Sequence, residues 1–571
     1  MHRAGSCTVS AWALAALAAT AGCAGSAIRS QSPELEALAN LETVTRFVGD
    51  YTAPYGLNPR RIENAALVTG LPNTGSDPPP GPQRQMLMAD MQSRGVVQPN
   101  QLLASPATSL VWVRAYLPPA ARRGDRFDVL VEVPPDNETT SLADGWLMET
   151  RLAEMAVLGN TIRDGHELGI VEGAVLVDPA TEATRDSKSQ VRARVLGGGV
   201  CLTDREIGLV IAPEHRSFAM SKRLGDWINR RFSTIVKGVR KGVATPRTDR
   251  YIRLEVPPTY RWNLPRYIRV VRSVAVIEPP EGRHARLRLL GRQLADPVTA
   301  PLAAVRLEAI GRDAIPTLRE GLESKDAEVR FAAAEALAYL DESVAAPHLA
   351  EAARSLRSAR PAALAALAVL DDANGIDALQ SLLDSPSAET RYGAFRGLWR
   401  IDPELPSIRG ERLGQTCSLH VIDVGGPPLV HLTKSYRPEV VLFGAEHALA
   451  DGLRAEAGRS IVVVVEDRVA TVSRFVPGQA DRTREAPARA DAVVRAIVEA
   501  GGSYPDVVQF LQQAAARHAL SSRLAFEAIP TELDGRGNVH HEASARGRTI
   551  ADHDEAGPDA SPADGPADRI P

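Results

Sequence analysis

The sequence predicts a multidomain α+β protein with a β-rich first part, stacked helical repeats and a further α+β unit. A chain of 571 residues is too long for one hydrophobic core. Strand-like runs broken by glycine and proline turns fill its first half, and an alanine-rich helical pattern follows them. The composition is that of a globular protein, and the net charge of -4 excludes a globally basic nucleic-acid binder.

Residues 1–22 are typical of an export signal: a basic start at Arg3, an apolar run over 9–19 and small residues after it. The apolar run is too short to span a bilayer. Thr20-Ala21-Gly22-Cys23 is similar to a bacterial lipobox, which predicts lipidation of Cys23 and a membrane anchor. Ordinary signal cleavage and a buried amino-terminal helix remain alternatives. Cys201 and Cys417 then stay in the chain, and a disulfide between them is open.

The centre of the first part is a predicted hairpin. Val111–Pro119 and Arg123–Val133 are rich in β-branched and aromatic residues, and Pro118-Pro119 cannot continue a strand. Ala66–Asp77 upstream is predicted to be a strand that ends in a glycine loop. Downstream, Ser141–Thr150 leads into a strand-rich run over Gly165–Asp178.

These blocks, with Val195–Val200 and the helix Ser217–Phe232, resemble in their order the flagellar P-ring protein family. The resemblance covers residues 45–278 and implies a β-rich, ring-forming domain with a mixed α/β segment. It also implies a structural subunit of the periplasmic ring around the flagellar rod, in the basal body. The expected partners are further copies of the chain, the rod and outer-membrane ring proteins.

Two helices are predicted inside this region. Gln83–Arg94 places Leu87, Met88 and Met91 on one side, a stripe that fits core better than a soft-metal or partner groove. Ser217–Phe232 is amphipathic, with Lys222 and neighbouring cations facing away from its apolar side.

Residues 222–272 hold fourteen basic and three acidic residues, a net charge of +11, with tyrosines and a tryptophan interleaved. Export argues against nucleic acid as the partner. The alternatives are an anionic envelope partner, such as peptidoglycan or lipid head groups, and charge balance by acidic residues elsewhere in the fold or on a neighbouring subunit. The candidate anionic-partner surface is Arg230, Arg231, Lys237, Arg240 and Lys241.

Residues 297–401 carry a helical repeat with a period of roughly 30 residues. Ala314–Leu318 recurs as Ala345–Leu349 and again as Gly375–Leu379. The pattern resembles HEAT-type repeats, with three helix pairs and one further helix. Because its last helix carries extra aromatic bulk at Tyr392 and Phe395, we expect it to pack against the unit that follows.

That unit, residues 403–530, is predicted to be α+β. Its expected strands are 419–424, 429–432, 440–443, 461–466 and 469–475, and its expected helices are 488–499 and 505–518. Residues 535–571 are expected to be disordered because they lack large apolar side chains. His540, His541 and His553 within them fit a solvated tail better than a metal site.

No catalytic, cofactor or metal motif is found in the sequence, and Gly197-Gly198-Gly199 is expected to form a tight turn rather than a phosphate cradle. Two functions compete: a P-ring subunit that contributes to motility, and a lipid-anchored envelope scaffold or adaptor whose repeats bind another protein. An envelope enzyme with its site in 403–530 is a third hypothesis. Under the first hypothesis, 297–530 form a rigid arm that can be deleted without unfolding 45–278.

Overall fold

The computed structural model describes residues 45–158, 161–177, 190–236, 238–277, 282–476, 478 and 480–527. The export signal, Cys23, Lys237 and the carboxy-terminal tail with its three histidines therefore lie outside the described residues. Cys201 and Cys417 are both buried and free, so they form no disulfide with each other.

A closed barrel forms the first part of the chain. Three short elements precede it: β1 (Arg46–Phe47), α1 (Val48–Tyr51) and β2 (Thr52–Tyr55). The strands of the sheet are β3 (Arg60–Thr69), β4 (Ser109–Leu117), β5 (Arg126–Glu132), β6 (Trp146–Leu158), β7 (Thr161–Ala174), β8 (Leu176–Val177) and β9 (Arg192–Cys201). They run in the order β5-β4-β3-β6-β7-β9, and β9 pairs back with β5, which closes the sheet. The short strand β8 pairs with β9.

Side chains along the strands point alternately into and out of the barrel, and the inward ones fill its interior. Val111 and Val113 of β4 point inward and are fully buried, whereas Leu110 and Trp112 point outward. The predicted hairpin is confirmed as the antiparallel pair of β4 and β5. The outer side of β3 and β4 is covered by α2 (Pro82–Ser93) and α3 (Pro99–Leu103), where Met91 fills core as expected.

A mixed α/β segment follows the barrel. Its elements are β10 (Ile207–Ile211), α4 (Phe218–Arg231), β11 (Ser233–Val236), β12 (Val239–Gly242), β13 (Ala244–Pro246), β14 (Tyr251–Leu254), α5 (Leu264–Arg272) and β15 (Ala275–Ile277). The four-stranded sheet has the order β13-β14-β10-β2 and packs with helices on one apolar core. The predicted amphipathic helix is α4, and Ser217 caps it by accepting a hydrogen bond from the amide of Met220 at 3.1 Å.

Between residues 297 and 401 the helical repeats have the predicted three pairs and one further helix, and an eighth helix precedes them. The helices are α6 (Gly282–Leu294), α7 (Ala300–Ile310), α8 (Ile315–Leu322), α9 (Ala327–Ala338), α10 (Ala346–Ser355), α11 (Arg360–Leu367), α12 (Ala373–Gln380) and α13 (Ala388–Ile401). The first of them, α6, precedes the pairs and buries Leu290 and Leu294 in the same core. Buried alanines such as Ala333 and Ala366 let neighbouring helices approach closely, so that the pairs stack on one another.

The last unit contains two sheets and two helices. The elements are β16 (Glu411–Leu413), β17 (Cys417–Ile422), β18 (Leu429–Leu432), β19 (Glu439–Phe443), β20 (Arg454–Ala457), β21 (Ile461–Glu466), β22 (Val469–Arg474), β23 (Arg482–Pro487), α14 (Ala490–Glu499), α15 (Tyr504–Ala516) and β24 (Arg523–Phe526). One sheet is mixed, with the order β16-β17-β19-β18-β24, and the other is antiparallel, β20-β21-β22-β23. The predicted strands and helices are all present, and four further strands (β16, β20, β23 and β24) were not predicted.

Candidate functional site

The basic segment 222–272 does not form one continuous surface. Arg231, which was placed on the candidate anionic-partner surface, is half-buried and donates to the carbonyl oxygen of Glu308 through Nε at 3.1 Å and Nη2 at 2.9 Å. Glu308 lies in the last turn of α7, where a cation satisfies the free carbonyls of the helix end. Arg231 thus joins α4 to the first repeat.

The other described members of that surface are exposed. The guanidinium of Arg230 lies 4.4 Å from the centroid of the Trp227 ring. Arg240 donates to the Ser233 hydroxyl at 2.9 Å, and Lys241 forms an ion pair of 2.7 Å with Glu255. These exposed cations lie at the end of α4 and on β12.

Arg266 contradicts the interpretation of this segment as a basic surface, because its side chain is buried. It is 1% exposed and forms ion pairs with Glu308, at 2.5 Å from Nη2, and with Glu335. Tyr260 donates a further hydrogen bond of 2.6 Å to Glu308. Glu308 and Glu335 both belong to the repeats, so part of the +11 charge is balanced within the fold, as one alternative predicted.

Burial disfavours the charged forms of Arg266 and Glu308, and the ion pairs between them favour those forms. Burial raises the pKa of the Glu308 carboxyl, although Arg266 and Tyr260 act to lower it. Burial acts to lower the pKa of Arg266, but Glu308 and Glu335 raise it above its usual value. Two of the interleaved aromatics, Tyr260 and Tyr267, are also core rather than surface, and Tyr260 stacks on Tyr339 of the repeats at 4.9 Å.

A second buried network joins the last repeat helix to the final unit, as the bulk of that helix predicted. Tyr392 stacks on His431 at 3.7 Å and donates to Glu439 at 2.9 Å. Arg437 pairs with the same carboxylate at 2.7 Å. Burial would raise the pKa of Glu439, but Arg437 and Arg396 lower it overall. Burial lowers the pKa of His431 to about 3, so this imidazole is neutral at physiological pH.

A third contact joins the final unit to the barrel. The Asp128 carboxylate of β5 accepts hydrogen bonds from the amides of Gly197 and Tyr436, each at 2.7 Å. Burial raises the pKa of Asp128 to about 7, and the Gly197 amide, which favours the ionised form, does not cancel this effect. The backbone at Gly197 is left-handed (φ 55°), and a Cβ there would overlap the carbonyl oxygen of Tyr436.

The expected tight turn at Gly197-Gly198-Gly199 is therefore wrong, because these residues lie inside β9. Their lack of side chains serves close packing: a Cβ at Gly199 would overlap the Phe127 ring inside the barrel. Among the described residues, no group of His, Cys, Asp and Glu side chains has a geometry that could hold a metal ion.

Comparison with known proteins agrees with the resemblance seen in the sequence. Residues 49–285 match the sequence model of the flagellar P-ring protein family. This segment is similar to flagellar P-ring proteins. Residues 278–368 match HEAT repeats, which begin earlier here than residue 297.

Individual P-ring proteins cover only part of the chain. The flagellar P-ring protein of Thermotoga petrophila is 30% identical over 156 residues, which are 27% of this chain and 43% of that protein. The protein of Escherichia fergusonii is 28% identical over 226 residues, 37% of this chain and 56% of that protein. That of Geobacter metallireducens is 26% identical over 240 residues, 40% and 59% respectively. The chain thus spans about half the length of these curated relatives.

The P-ring-like segment, residues 49–285, shares its core with the parts that follow. One apolar cluster runs from Val48 through the repeats to Phe443 of β19, and a second places Leu176 and Leu196 of the barrel among side chains of the final unit. Arg459 adds a hydrogen bond of 3.3 Å to the carbonyl oxygen of Pro72. The repeats and the final unit therefore do not project as a free arm, because they pack back onto the P-ring-like segment. Whether residues 45–278 fold without them stays a prediction.

None of the helices in the described part of the chain is long and apolar enough to cross a membrane.

Proposed function

We propose that this chain is a structural subunit of a P-ring-like assembly, a periplasmic ring around the flagellar rod, and that it contributes to flagellum-dependent motility. The match of residues 49–285 to the P-ring family supports this proposal most directly. The partners would be further copies of the chain, the rod and outer-membrane ring proteins. The proposed role is purely structural and involves neither catalysis nor a cofactor.

The predicted export signal supports a periplasmic location in the basal body. Lipidation of Cys23 would add a membrane anchor, because its acyl chains would be buried in the apolar interior of the bilayer. The proposed anionic-partner surface is now limited to Arg230, Arg240, Lys241 and Lys237, since Arg231 is engaged with the first repeat.

The decisive experiment is electron microscopy of basal bodies purified from cells that carry an epitope-tagged copy of the chain. Antibody labelling on a ring around the rod is expected, together with loss of swimming when the gene is deleted. A monomeric protein at high concentration and unlabelled basal bodies would contradict the proposal. The control strain carries the tag on an unrelated periplasmic protein.

The second candidate is a lipid-anchored envelope scaffold or adaptor. It draws support from the repeats, where partly exposed side chains form ion pairs between successive repeats, such as Arg319 with Glu342 and Arg330 with Glu351. Gene deletion separates the two candidates. An adaptor predicts swimming cells with an altered envelope, whereas a ring subunit predicts non-swimming cells with an intact envelope.

A further inference from the structure

We propose that an arginine–aromatic junction inside the chain binds a small, multiply charged oxyanion, either a phosphate or a polycarboxylate. The junction lies where the mixed α/β segment, the last repeat helix α13 and the final unit meet beside the barrel. It consists of six residues that are linked by guanidinium–ring contacts: Arg261, Trp262, Arg396, Trp399, Arg400 and Arg437. The proposal does not depend on the ring, because the site is formed within a single chain.

The guanidinium groups of the junction are held by stacking. The guanidinium carbon of Arg437 lies 3.5 Å from the centroid of the Trp399 ring, and that of Arg400 lies 4.6 Å from the centroid of the Trp262 ring. Arg261 contacts the same Trp262 ring at 5.3 Å. A guanidinium group stacks through its face, so its N–H donors lie in its plane, where a carboxylate or phosphate accepts from them in pairs.

Positive charges are crowded at the junction. Arg396 and Arg437 share one carboxylate, that of Glu439, at 4.0 and 2.7 Å respectively. Arg400 follows Arg396 by one turn of α13, a spacing at which like charges destabilise a helix. Burial lowers the pKa of Arg437, and although Glu439 acts to raise it, the charge of Arg396 lowers it further. An anion bound among these groups would offset their mutual repulsion.

Arg437 also keeps hydrogen-bonding capacity that a ligand would use. Its Nε donates to Glu439 at 2.7 Å, whereas its Nη2 is buried and makes no hydrogen bond within the described residues. A buried donor without an acceptor costs free energy, and an oxyanion oxygen at this nitrogen would remove that cost. The side chain of Arg437 is 28% exposed, so the guanidinium group can be reached from solvent.

The barrel bounds the junction on one side. Arg261 forms an ion pair of 3.6 Å with Asp125, and the neighbouring Arg126 donates to the carbonyl oxygen of Gly197 at 2.9 Å. Tyr436, the residue before Arg437 in the chain, packs against the backbone of the same Gly197. The ligand would therefore be surrounded by elements that come together only in the folded chain.

The depth of the junction favours a small ligand over an extended surface. Arg396 is 9% exposed, Trp262, Trp399 and Arg400 are half-buried, and Arg261 is exposed. A flat bilayer or a sheet of wall polymer would reach only the outermost of these cations. A compact oxyanion in solution can contact several of them at once.

The test is isothermal titration calorimetry of the chain from Ala24 onward with inorganic phosphate and, separately, with citrate. Both anions stabilise folded proteins in general, so the heat of binding is measured instead of a melting temperature. Sodium chloride keeps the ionic strength constant at about 0.15 M. We expect saturable binding of at least one anion, and the tighter of the two identifies the class of ligand. Arg400→Gln should weaken this binding about tenfold, and Arg261→Gln, at an exposed position, about threefold.

The control variant is Arg482→Gln, which removes an exposed arginine of β23 and should leave binding unchanged. Circular dichroism shows whether each variant is folded, and Arg261→Gln provides the test if Arg400→Gln is not. The proposal is overturned if neither anion gives a saturable heat, if the junction variants bind like the unaltered chain, or if Arg482→Gln weakens binding as much as they do. Binding to anionic vesicles or cell-wall sacculi without binding of either free anion would also overturn it.

Discussion

Replacing Arg266 by methionine tests whether the P-ring-like segment and the repeats fold as one body. Met keeps much of the apolar stem of Arg266 but removes the cation shared by Glu308 and Glu335. Glu308 is fully buried, so its charge would lose its main partner in a medium that already raises its pKa. Breaking a buried ion pair from one side costs about 3 to 5 kcal/mol, and we expect a loss of unfolding free energy in that range.

The matched control is Arg269→Met, in the next turn of the same helix. Arg269 is exposed, so its removal should cost about 1 kcal/mol or less, mainly through the charge it places near the end of α5. The assay is urea unfolding of the chain from Ala24, followed by circular dichroism. Equal midpoints and slopes for the Arg266 and Arg269 variants would refute the argument.

A combined variant distinguishes lost charge pairing from damage to packing. Adding Glu308→Met, Glu335→Met and Tyr260→Phe to Arg266→Met removes both carboxylates that pair with Arg266, together with the hydroxyl that donates to Glu308. Replacing a whole buried ionic group with apolar side chains is often neutral. We therefore expect the combined variant to regain at least half of the lost free energy, and no recovery would mean that Arg266 acts through shape alone.

Three further outcomes are expected. A fragment of residues 45–278 should be largely unfolded by circular dichroism and rapidly digested by protease, because Arg266 and Tyr260 lose their partners in the repeats; a folded, protease-resistant fragment would restore the separable arm. Cys23→Ser should move the protein from the membrane fraction to the soluble periplasm on cell fractionation, and an unchanged distribution would reject lipidation. The pKa of Asp128 rises from 3.8 to about 7 on folding, so between these pH values the folded state binds a proton that the unfolded state does not, and stability should fall as pH rises from 4 to 7. Asp128→Asn should flatten this part of a plot of urea midpoint against pH. An unchanged slope would assign the pH dependence to other groups.

Local patterns in the sequence were sufficient to predict the elements in which an apolar pattern recurs at a regular spacing. The spacing of the repeats predicts three helix pairs and one further helix because each pair presents the same apolar pattern at a constant interval. The helix that Ser217 caps was predicted from its apolar spacing. Three of the four strands missed in the final unit, β16, β20 and β24, have only three or four residues. The fourth, β23, has six residues, but they are mostly exposed and charged or polar, so no apolar alternation marks it.

Long-range pairings account for what the sequence left open. Barrel closure depends on β5 pairing with β9, and three further strands separate the two along the chain, so no local pattern encodes that partner. Arg266 looked like any other cation in a basic segment, because the acidic residues that pair with it lie in α7 and α9 of the repeats. The net charge of a sequence segment therefore overestimates the charge exposed on the surface whenever a distant helix supplies acidic partners.

The shared core also limits which surfaces a ring can use. The final unit covers the barrel near Asp128 and Pro72, and the repeats cover the face that holds Arg266, so neither face is free for a neighbouring subunit. The outer side of β6 keeps large apolar side chains in water within the described part of the chain, with Trp146 46% and Met148 44% exposed. Large apolar side chains that stay exposed close together are typical of protein contact surfaces. A ring built from this chain would therefore have to make its subunit contacts through surfaces such as this one, with the repeats and the final unit acting as part of the subunit body.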